Sequence, residues 1–234
     1  MHDSGGKVNT SADGSPVELY ALLPDFGEAA LVHASTPAGG SVLELGAGAG
    51  RVTEPIAALG HPVVAVDNSG EMLGHVRNAE TVRADIETLR LDRRFDTVVL
   101  ASHLVNTPDA ELRRALLATA AHHAAGRVLV QWHPAAWFDT VDSVPRPAGP
   151  VEIAVRDIVR DGDLLSATVH YDSADRHWEH AFTAQRLSIA DLELAQVGLR
   201  FDGWLTEDQT WFAARPNHRS NAASTPSADD AQAT

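Results

Sequence analysis

The stretch that decides the fold is SVLELGAGAG, at residues 41–50. Its first half is a short apolar run typical of a buried strand, and its second half, Gly46–Gly50, is a glycine-rich turn before a predicted helix over 52–59. Glycine is favoured where the backbone takes a positive φ or approaches a ligand closely. Ligands of open α/β sheets bind beyond the carboxyl ends of the strands, so this turn is a candidate binding site.

Apolar runs and helical patterns alternate on both sides of this turn. A helical pattern covers residues 16–34, and further helices are expected at 70–78 and from the Asp109 cap to about 123. Strand alternating with helix five times predicts a doubly wound parallel sheet. The four strands after the glycine turn are expected at 62–66, 82–83, 95–101 and 127–132.

The pattern changes after residue 133. Residues 134–150 contain four prolines, which predicts a loop or lid. The next three β-like runs predict an antiparallel sheet appended to the core, with a tight turn at 161–163 between the first two. A helix at 189–197 is then expected, followed by two strands that close the main sheet as a hairpin. The five predicted strands of this half are 151–160, 164–171, 177–186, 199–204 and 210–214.

Both ends of the chain are poor in residues that form a core. Residues 1–15 are mostly small and polar, and residues 216–234 contain no Leu, Ile, Val or aromatic residue. Such segments bury too little apolar surface to offset their ordering entropy, so both are predicted to be disordered tails. The sequence therefore predicts one folded domain over 16–215.

Composition excludes several classes of function. The chain of 234 residues has no cysteine and a formal charge of −14. Without cysteine it has no disulfide, thiolate nucleophile or cysteine-ligated metal site. Its one lysine, Lys7, lies in a polar N-terminal stretch, which argues against a Schiff-base enzyme. The negative charge argues against binding to nucleic acid or to an anionic membrane.

The chain also lacks the patterns of a membrane or secreted protein. No apolar run approaches the roughly 20 residues that span a bilayer. The N-terminal stretch lacks the apolar centre of a signal peptide. We therefore expect a soluble, cytoplasmic protein that is a monomer or homodimer, with no nucleic-acid or membrane partner.

An acidic residue follows the second predicted strand. Asp67 lies 21 positions after Gly46, where a carboxylate can accept hydrogen bonds from two ribose hydroxyls, so the predicted ligand is a nucleoside. The dinucleotide fingerprint G-x-G-x-x-G needs glycine at position 51, where this chain has Arg51. This difference argues against a nicotinamide dehydrogenase.

Four motifs in order carry a family resemblance: ELGAGAGR at 44–51, VDNSGEML at 66–73, RADIETL at 83–89 and FDTVVLASHLVN at 95–106. Together they resemble class I S-adenosylmethionine-dependent methyltransferases of the small-molecule type. The resemblance covers residues 16–133 and implies S-adenosyl-L-methionine as the cofactor. It also implies a Rossmann-like, doubly wound, seven-stranded and mostly parallel sheet whose last strand is antiparallel, here with an appended antiparallel β segment.

The resemblance also implies roles for particular residues. The three turn glycines face the methionine and ribose parts of the cofactor, and Asp67 binds the ribose diol. Asp85 takes the adenine amino group, Ile86 its face, and Tyr20 closes over the methionyl end. The implied cofactor-binding set is Tyr20, Glu44, Gly46, Ala47, Gly48, Gly50, Asp67, Asn68, Asp85, Ile86, Ala101 and Ser102.

Two histidines are candidate catalytic bases. His103 and His133 follow the predicted fourth and fifth strands, at the edge where an acceptor is expected, and imidazole takes a proton near neutral pH. Chance placement is the alternative, because the chain has twelve histidines. Trp132, Trp137 and Phe138 are candidate walls of the acceptor site, with core packing as the alternative.

No metal site is expected from the sequence. No HExxH or paired-carboxylate motif occurs. His177 and His180 are three residues apart on a predicted strand, so they point to opposite faces, which argues against shared metal ligation.

The sequence therefore predicts methyl transfer from S-adenosylmethionine to an O or N atom of a small-molecule acceptor in specialised-metabolite biosynthesis. Residues 134–187 are expected to cover the acceptor site or to form a dimer contact. Two alternatives stay open: a non-methylating cyclisation or lyase reaction of the same cofactor, and a non-catalytic module that binds it. The identity of the acceptor does not follow from the sequence.

Overall fold

The computed structural model describes residues 16–217. Strands within these residues form a seven-stranded and a four-stranded sheet. In chain order they are β1 (Val42–Leu45), β2 (Val63–Asp67), β3 (Glu80–Arg83), β4 (Phe95–Leu100), β5 (Ala124–Gln131), β6 (Arg146–Ala148), β7 (Val151–Asp161), β8 (Leu164–Asp172), β9 (His177–Gln185), β10 (Leu199–Trp204) and β11 (Trp211–Pro216).

The larger sheet has the order β10-β11-β5-β4-β1-β2-β3. Strands β1 to β5 pair in parallel, whereas β11 lies between β5 and β10 and is antiparallel to both. The predicted fold class, a mostly parallel seven-stranded sheet with an antiparallel last strand, is confirmed. Because β1 lies between β2 and β4, the carboxyl ends of these three strands meet at the centre of one sheet edge.

Helices cover both faces of the larger sheet. The α-helices are α1 (Val17–Tyr20), α2 (Glu28–Ser35), α3 (Thr53–Ala58), α4 (Gly70–Leu73), α5 (Ala110–His123) and α6 (Ala135–Thr140). On one face α5 packs Leu116 and Leu117 against the sheet. On the other face α2 and α3 bury Val32 and Ile56 against β1, β2 and β4. The apolar runs of the central strands are explained by this burial on both faces.

The smaller sheet, β6-β7-β8-β9, is antiparallel throughout. The predicted appended segment is therefore present, and its strands lie close to the expected ranges. Side chains alternate between its two faces, as the period of a strand requires. Tyr171 and Trp178 pack with Leu19 of α1 in a separate apolar cluster, which fixes the sheet against the N-terminal segment.

The helical pattern predicted over 16–34 is wrong as one helix. The structure breaks it into α1 and α2, with Pro24 and Gly27 in the connection. Proline disfavours helical backbone in the residue before it, and Gly27 has a φ of 102°, outside the helical region. The break matters because Leu23 and Phe26, which line the binding region, then lie in the connection instead of inside a helix.

Other boundaries shift for local reasons. Helix α4 ends at Leu73, five residues before the predicted end at 78. Strand β5 starts at Ala124 and continues through Gly126, where an added Cβ would lie 2.4 Å from the Asp96 carbonyl oxygen. Glycine at 126 thus permits the close approach of β4 and β5, and the strand begins three residues before the predicted start at 127.

Two further segments differ from expectation. The proline-rich segment 134–150 is not a loop throughout, since it contains α6 and β6. The helix predicted at 189–197 is wrong, because that segment forms two 3-10 turns, Ala190–Leu192 and Leu194–Val197. A left-handed Glu193, with a φ of 47°, separates them.

The folded chain extends slightly beyond the predicted end at 215. Strand β11 runs to Pro216, and the Asn217 amide donates to the Gly198 carbonyl at 2.7 Å. Residues 1–15 and those after 217, predicted to be tails, lie outside the described residues. Within 16–217, the helices are all too short or too polar to cross a membrane.

Candidate active site

A cavity of about 310 Å³ lies at the carboxyl ends of β1, β2 and β4. It brings together the glycine turn, the end of β2 and the residues after β4, which are far apart in the chain. Its lining consists of Tyr20, Glu44, Gly46, Ala47, Gly48, Ala49, Arg51, Val52, Asp67, Asn68, Met72, Ala84, Ile86, Glu87, Ser102, Leu104 and His180. We call it the first cavity.

The glycine turn has the backbone that its sequence predicts. Gly46 has a φ of 78°, and an added Cβ would lie 2.9 Å from the Leu104 Cδ1 atom. Gly48 has a φ of 55°, and a Cβ there would meet no atom of the described residues within 4 Å. The turn therefore uses left-handed backbone and leaves open space above Gly48, which is what a closely approaching ligand requires.

Asp67 lies at the end of β2, facing the turn. Its Oδ2 accepts from the Gly48 amide at 2.9 Å, and its Oδ1 accepts from the Ser69 amide at 2.8 Å. An ionised carboxylate has about four lone-pair sites, so each oxygen keeps capacity for one further donor. This arrangement fits a vicinal diol.

Glu44 is the buried acid of the first cavity. Its side chain is 2% exposed, and its Oε2 accepts from the Thr53 hydroxyl. Burial raises the pKa of Glu44 to about 7, while the Thr53 hydrogen bond and the Arg51 charge oppose the shift. The cavity floor therefore holds a carboxyl group that is near its midpoint of ionisation at neutral pH.

A second cavity, of about 500 Å³, adjoins the first. Residues that line both are Tyr20, Arg51, Ser102, Leu104 and His180. The rest of the lining is Leu23, Phe26, Glu28, His103, Asn106, Thr107, Gln131, His133, Trp137, Ile153, Val155, Val169, Tyr171, Phe182, Thr183 and Ala184. Three layers of the molecule supply it: the N-terminal segment, the strand ends of the large sheet and one face of the appended sheet.

Both candidate bases line the second cavity, in one aromatic stack. The His103 and His133 rings have centroids 3.7 Å apart, and the Trp137 ring lies 3.6 Å beyond His133, each pair within 11° of parallel. Burial lowers the pKa of His103 to about 4 and that of His133 to about 2, and the neighbouring His103 adds to the latter shift. Both imidazoles are therefore neutral at pH 7.

His103 has a buried ring nitrogen without a partner in the described part of the chain. It adopts a left-handed backbone with a φ of 57°, and its Nδ1 is buried with no hydrogen-bond partner among residues 16–217. His103 also lies between Ser102 and Leu104, which both line the two cavities. A buried unpaired nitrogen is costly, and a ligand hydrogen-bond donor would satisfy this one.

Asn106 holds the backbone of His133. The Asn106 Oδ1 accepts from the His133 amide at 2.7 Å, and its Nδ2 donates to the His133 carbonyl at 3.2 Å. The same Nδ2 donates to the Gln185 carbonyl at 3.0 Å, at the end of β9. Asn106 is 2% exposed, so this buried amide joins the two sheets at the cavity.

An ion pair closes the N-terminal side. Arg51 Nη1 lies 2.6 Å from Glu28 Oε1, with the side chains 13% and 5% exposed. The Arg51 guanidinium also donates to the Pro24 carbonyl at 3.3 Å and stacks over the Phe26 ring at 5.1 Å. Arg51, the residue after the glycine turn, thus fixes the segment that connects α1 and α2.

The structure brings most of the predicted residues together. The first cavity holds nine of the twelve predicted cofactor residues, and the second holds both histidines and Trp137. Tyr20, predicted to close over the cofactor, lines both cavities. Burial of the neighbouring Tyr171 raises the pKa of its hydroxyl far above the usual value, and Tyr20 adds to the shift. Tyr171 is therefore a neutral hydroxyl in the wall.

Three predicted cofactor residues do not line the first cavity. Gly50, with a φ of 85°, packs against Val76, where an added Cβ would lie 2.9 Å from its Cγ2. Ala101 is buried in the core. Asp85 is exposed and does not line the cavity, but it accepts a hydrogen bond at 3.2 Å, through its Oδ1, from the Nδ2 of the lining residue Asn68.

Two of the predicted acceptor walls are packing residues. Trp132 is 2% exposed and donates its indole hydrogen to the Gln209 carbonyl at 2.7 Å, away from both cavities. Phe138 is 2% exposed and packs with Leu165 and Ala184 of the appended sheet. For these two aromatics the alternative of core packing is what the structure shows.

Several lining residues were missed by the sequence analysis. Arg51 was used only to argue against a dinucleotide, and Glu28, Tyr171, His180 and Phe182 were given no role. Alternation along β9 was a usable signal, because His180 and Phe182 share one face of that strand. Nothing in the local sequence indicated that this face turns toward the larger sheet.

Residues 42–126 match the family described as "Methyltransferase domain". These residues form a methyltransferase domain. The match confirms the predicted resemblance and the enzyme class, and solved structures with S-adenosylmethionine bound agree with the predicted cofactor. The match spans β1 to the start of β5, and thus includes the glycine turn and Asp67. No curated protein matches this chain.

Solved structures resemble the methyltransferase domain and the appended sheet together. The sugar N-methyltransferase KedS8 from Streptoalloteichus sp. ATCC 53650 has a TM-score of 0.67 at 17% identity, covering 92% of this chain and 98% of its own. An S-adenosylmethionine-dependent methyltransferase from Clostridium acetobutylicum has a TM-score of 0.65 at 16% identity, covering 80% and 87%.

A third similar structure is CalS10 from Micromonospora echinaspora, described as an amino pentose methyltransferase of calicheamicin biosynthesis with S-adenosylmethionine bound. Its TM-score is 0.61 at 21% identity, and 80% of this chain and 89% of that chain are covered. At these identities the likeness establishes the fold alone.

Proposed function

We propose that this enzyme transfers a methyl group from S-adenosylmethionine to an O or N atom of an uncharged small molecule held in the second cavity. The observation that carries the proposal is the junction of the two cavities at Tyr20, Arg51, Ser102, Leu104 and His180. A shared boundary allows a donor in one cavity to meet an acceptor in the other. Alignment of this kind is the main contribution that a protein makes to a two-substrate displacement.

The first cavity fits the cofactor. Gly46 and Gly48 let a ligand approach the backbone, Asp67 offers two carboxylate oxygens to the ribose hydroxyls, and Ile86 supplies an apolar wall for the adenine ring. When bound, S-adenosylmethionine supplies an activated methyl group on a sulfonium. The acidic lining, with Glu44 and Asp67, suits that positive charge.

The second cavity suits a neutral acceptor. Its charged lining residues are Glu28 and Arg51, which neutralise each other. Its three histidines include two that are neutral at pH 7. Aromatic and aliphatic side chains from Trp137, Phe182 and the strands of the appended sheet provide the remaining contact area, as in other ligand cavities of this size.

His103 is the proposed proton acceptor. Its unpaired Nδ1 can accept the proton that an acceptor hydroxyl or amine loses when it gains the methyl group. His133, stacked between His103 and Trp137, is proposed to hold the His103 ring in plane and to exclude water from it.

The similar structures support a small-molecule acceptor. KedS8 is described as a sugar N-methyltransferase, and MtfA, which is 22% identical with a TM-score of 0.58, as a glycopeptide N-methyltransferase. These printed descriptions support acceptors of this size and a role in biosynthesis as the working proposal.

The proposal is tested by product analysis with the purified protein and a panel of amino sugars, glycosides and phenols. Methyl transfer gives equimolar S-adenosylhomocysteine and a product heavier by one methylene. Methylthioadenosine would indicate a reaction of the aminobutyryl chain instead. Cofactor binding without turnover across the panel would favour a non-catalytic module.

Asp67→Ala tests the cofactor half of the proposal. It removes the two hydrogen bonds that the proposed diol makes to a carboxylate, each worth about 1.5–3 kcal/mol, so the Kd for S-adenosylmethionine should rise by at least roughly 100-fold. Isothermal titration calorimetry measures the change, and Asp92→Ala, an exposed acid outside both cavities, is the control. Unchanged affinity in Asp67→Ala would contradict the proposed ribose contact.

A further inference from the structure

A cluster of metal-ligand side chains lies on the appended sheet, on the face opposite the second cavity. Strands β8 and β9 pair His170 with Glu179 and Asp172 with His177. These four residues share one face, because successive side chains of a strand alternate. Tyr171 and His180, on the other face, line the second cavity. In the sequence His177 was considered together with His180, whereas in the structure the His177 ring lies beside the His170 ring of the neighbouring strand.

The ligand atoms of three of these residues already lie close together. One ligand atom each from His170, His177 and Glu179 lies within 4.8 Å of the other two. The His177 Nε2 atom is 4.0 Å from Glu179 Oε2. The ligands of a tetrahedral zinc ion, with bonds of about 2.0–2.1 Å, are roughly 3.3 Å apart. Shifts of about 1 Å in the exposed side chains of His177 and Glu179 would close the site.

Asp172 orients one of the histidines for metal binding. The His177 Nδ1 lies 2.7 Å from Asp172 Oδ1, which places the imidazole hydrogen on Nδ1 and the lone pair on Nε2, toward Glu179. A ligating histidine commonly donates its other N–H to a carboxylate in this way. The carboxylate–histidine pair is therefore preorganised in the direction that a metal requires.

His170 supplies an independent observation. Its Nε2 is buried and has no hydrogen-bond partner within residues 16–217. Its ring centroid lies 5.2 Å from that of His177. Buried imidazole nitrogens are normally paired, so an unpaired one beside His177 and Glu179 indicates a missing partner.

We propose that His170, His177 and Glu179 bind a divalent transition metal of the zinc class, with Asp172 as the residue that positions His177. Two imidazoles and one carboxylate form a ligand set that zinc uses, with a fourth position left for water. Glu152, opposite Asp172 on β7, adds a further negative charge to this face, and Arg156 on the same strand opposes it.

The metal would tie β8 to β9 behind the wall of the second cavity. The test uses the intact chain and zinc itself. Equilibrium dialysis against Zn²⁺ buffered by a competing chelator should show a bound ion that is lost in His177→Ala and in Glu179→Gln. His75→Gln, at an exposed histidine on another part of the surface, should keep it. Co²⁺ should give the d–d absorption of a four-coordinate site in the native protein and in His75→Gln.

Asp172→Asn tests the positioning role. It should weaken Zn²⁺ binding by about 10- to 100-fold while leaving the stoichiometry unchanged. Circular dichroism of each variant checks that the strands remain folded. Equal Zn²⁺ binding by the native protein, His177→Ala and Glu179→Gln would mean adventitious binding at other histidines and would overturn the proposal. Since the readout is metal binding, its failure is independent of any result on methyl transfer.

Discussion

The two cavities of this enzyme are built in different ways. The first is formed largely by backbone and by short polar groups at three adjacent strand ends, all within the methyltransferase domain apart from Tyr20 and His180. The second is formed by side chains from the N-terminal segment, the larger sheet and the appended sheet. A site made of backbone leaves a local sequence motif, whereas a site made of distant side chains does not.

The two cavities also differ in charge. Glu44 and Asp67 make the first acidic, while the second contains one neutralised ion pair and uncharged rings. The difference suits a cationic sulfonium on one side and a neutral acceptor on the other. Variants confined to one cavity should therefore change one substrate's parameters and leave the other's unchanged.

The largest effect is expected from His103→Gln. Loss of a positioned base typically lowers kcat by about 10²- to 10⁴-fold, whereas the cofactor Kd should stay within about twofold because the His103 side chain does not line the first cavity. Steady-state kinetics with calorimetry separates the two, with His122→Gln on the surface of α5 as the control.

The pH profile sharpens this prediction. Burial lowers the pKa of His103 to about 4, so the neutral imidazole persists at pH 5 and kcat/KM should show no break near pH 6.5. Full turnover by His103→Gln would mean that the acceptor needs no base at this position. The proposed role of the second cavity in proton transfer would then be wrong.

Breaking the Arg51–Glu28 ion pair should lower the free energy of unfolding by an amount similar to the rise in activation free energy expected for His103→Gln. Arg51→Met leaves Glu28 buried without its partner, and removing one member of a buried pair costs about 3–5 kcal/mol. Urea unfolding measures the loss, and adding Glu28→Gln should recover part of it.

The matched control for this ion pair is Arg93→Met. That variant breaks the pair of Arg93 with Glu80, whose side chains are 46% and 52% exposed, and exposed pairs contribute about 0–1 kcal/mol. Equal losses in Arg51→Met and Arg93→Met would show that the buried pair does not hold the N-terminal segment over the second cavity.

A smaller, pH-dependent effect is expected at Glu44. Its pKa is raised from 4.5 to about 7 in the folded protein, so the unfolded chain loses this proton first and native stability falls as pH rises from 4.5 to 7. The loss approaches about 3 kcal/mol above pH 7, at roughly 1.4 kcal/mol per pKa unit.

Glu44→Gln should abolish this loss. The free energy of unfolding of Glu44→Gln minus that of the native protein should therefore rise as pH increases from 4.5 to 7. Chemical denaturation of both proteins at pH 5, 6, 7 and 8 measures this difference. Thr53→Val, which removes the hydrogen bond that opposes the shift, should move the window to higher pH. A difference between native protein and Glu44→Gln that is constant with pH would show that Glu44 is ionised throughout.

The same contrast explains how far the sequence was informative. The glycine turn, Asp67 and the strand order were predictable because backbone conformation and strand ends follow from local residue types, and the appended strands were visible from their alternation and turns. Trp132 and Phe138 were misplaced because both follow β5 like Trp137, and only the packing of α6 and the appended sheet decides which ring faces the cavity.

Asp85 and Gly50 show that a sequence motif does not predict the direction of each of its side chains. Both belong to motifs that the sequence identified, yet one is exposed and the other packs against Val76. A motif locates a segment, whereas the direction of a side chain depends on the turn that carries it. The Arg51–Glu28 pair could not be predicted either, since it joins positions 23 residues apart, with α2 and β1 between them.

The place of β11 has a consequence for the order of folding. Strands β1 to β5 follow one another in the chain and pair among themselves, and β6 to β9 form successive hairpins. Strand β11 instead inserts beside β5 after the whole appended sheet has intervened. Contacts of long sequence separation form late because loop closure must precede them. We therefore expect the appended sheet to form while the larger sheet is still incomplete, and β11 to complete the larger sheet by inserting beside β5.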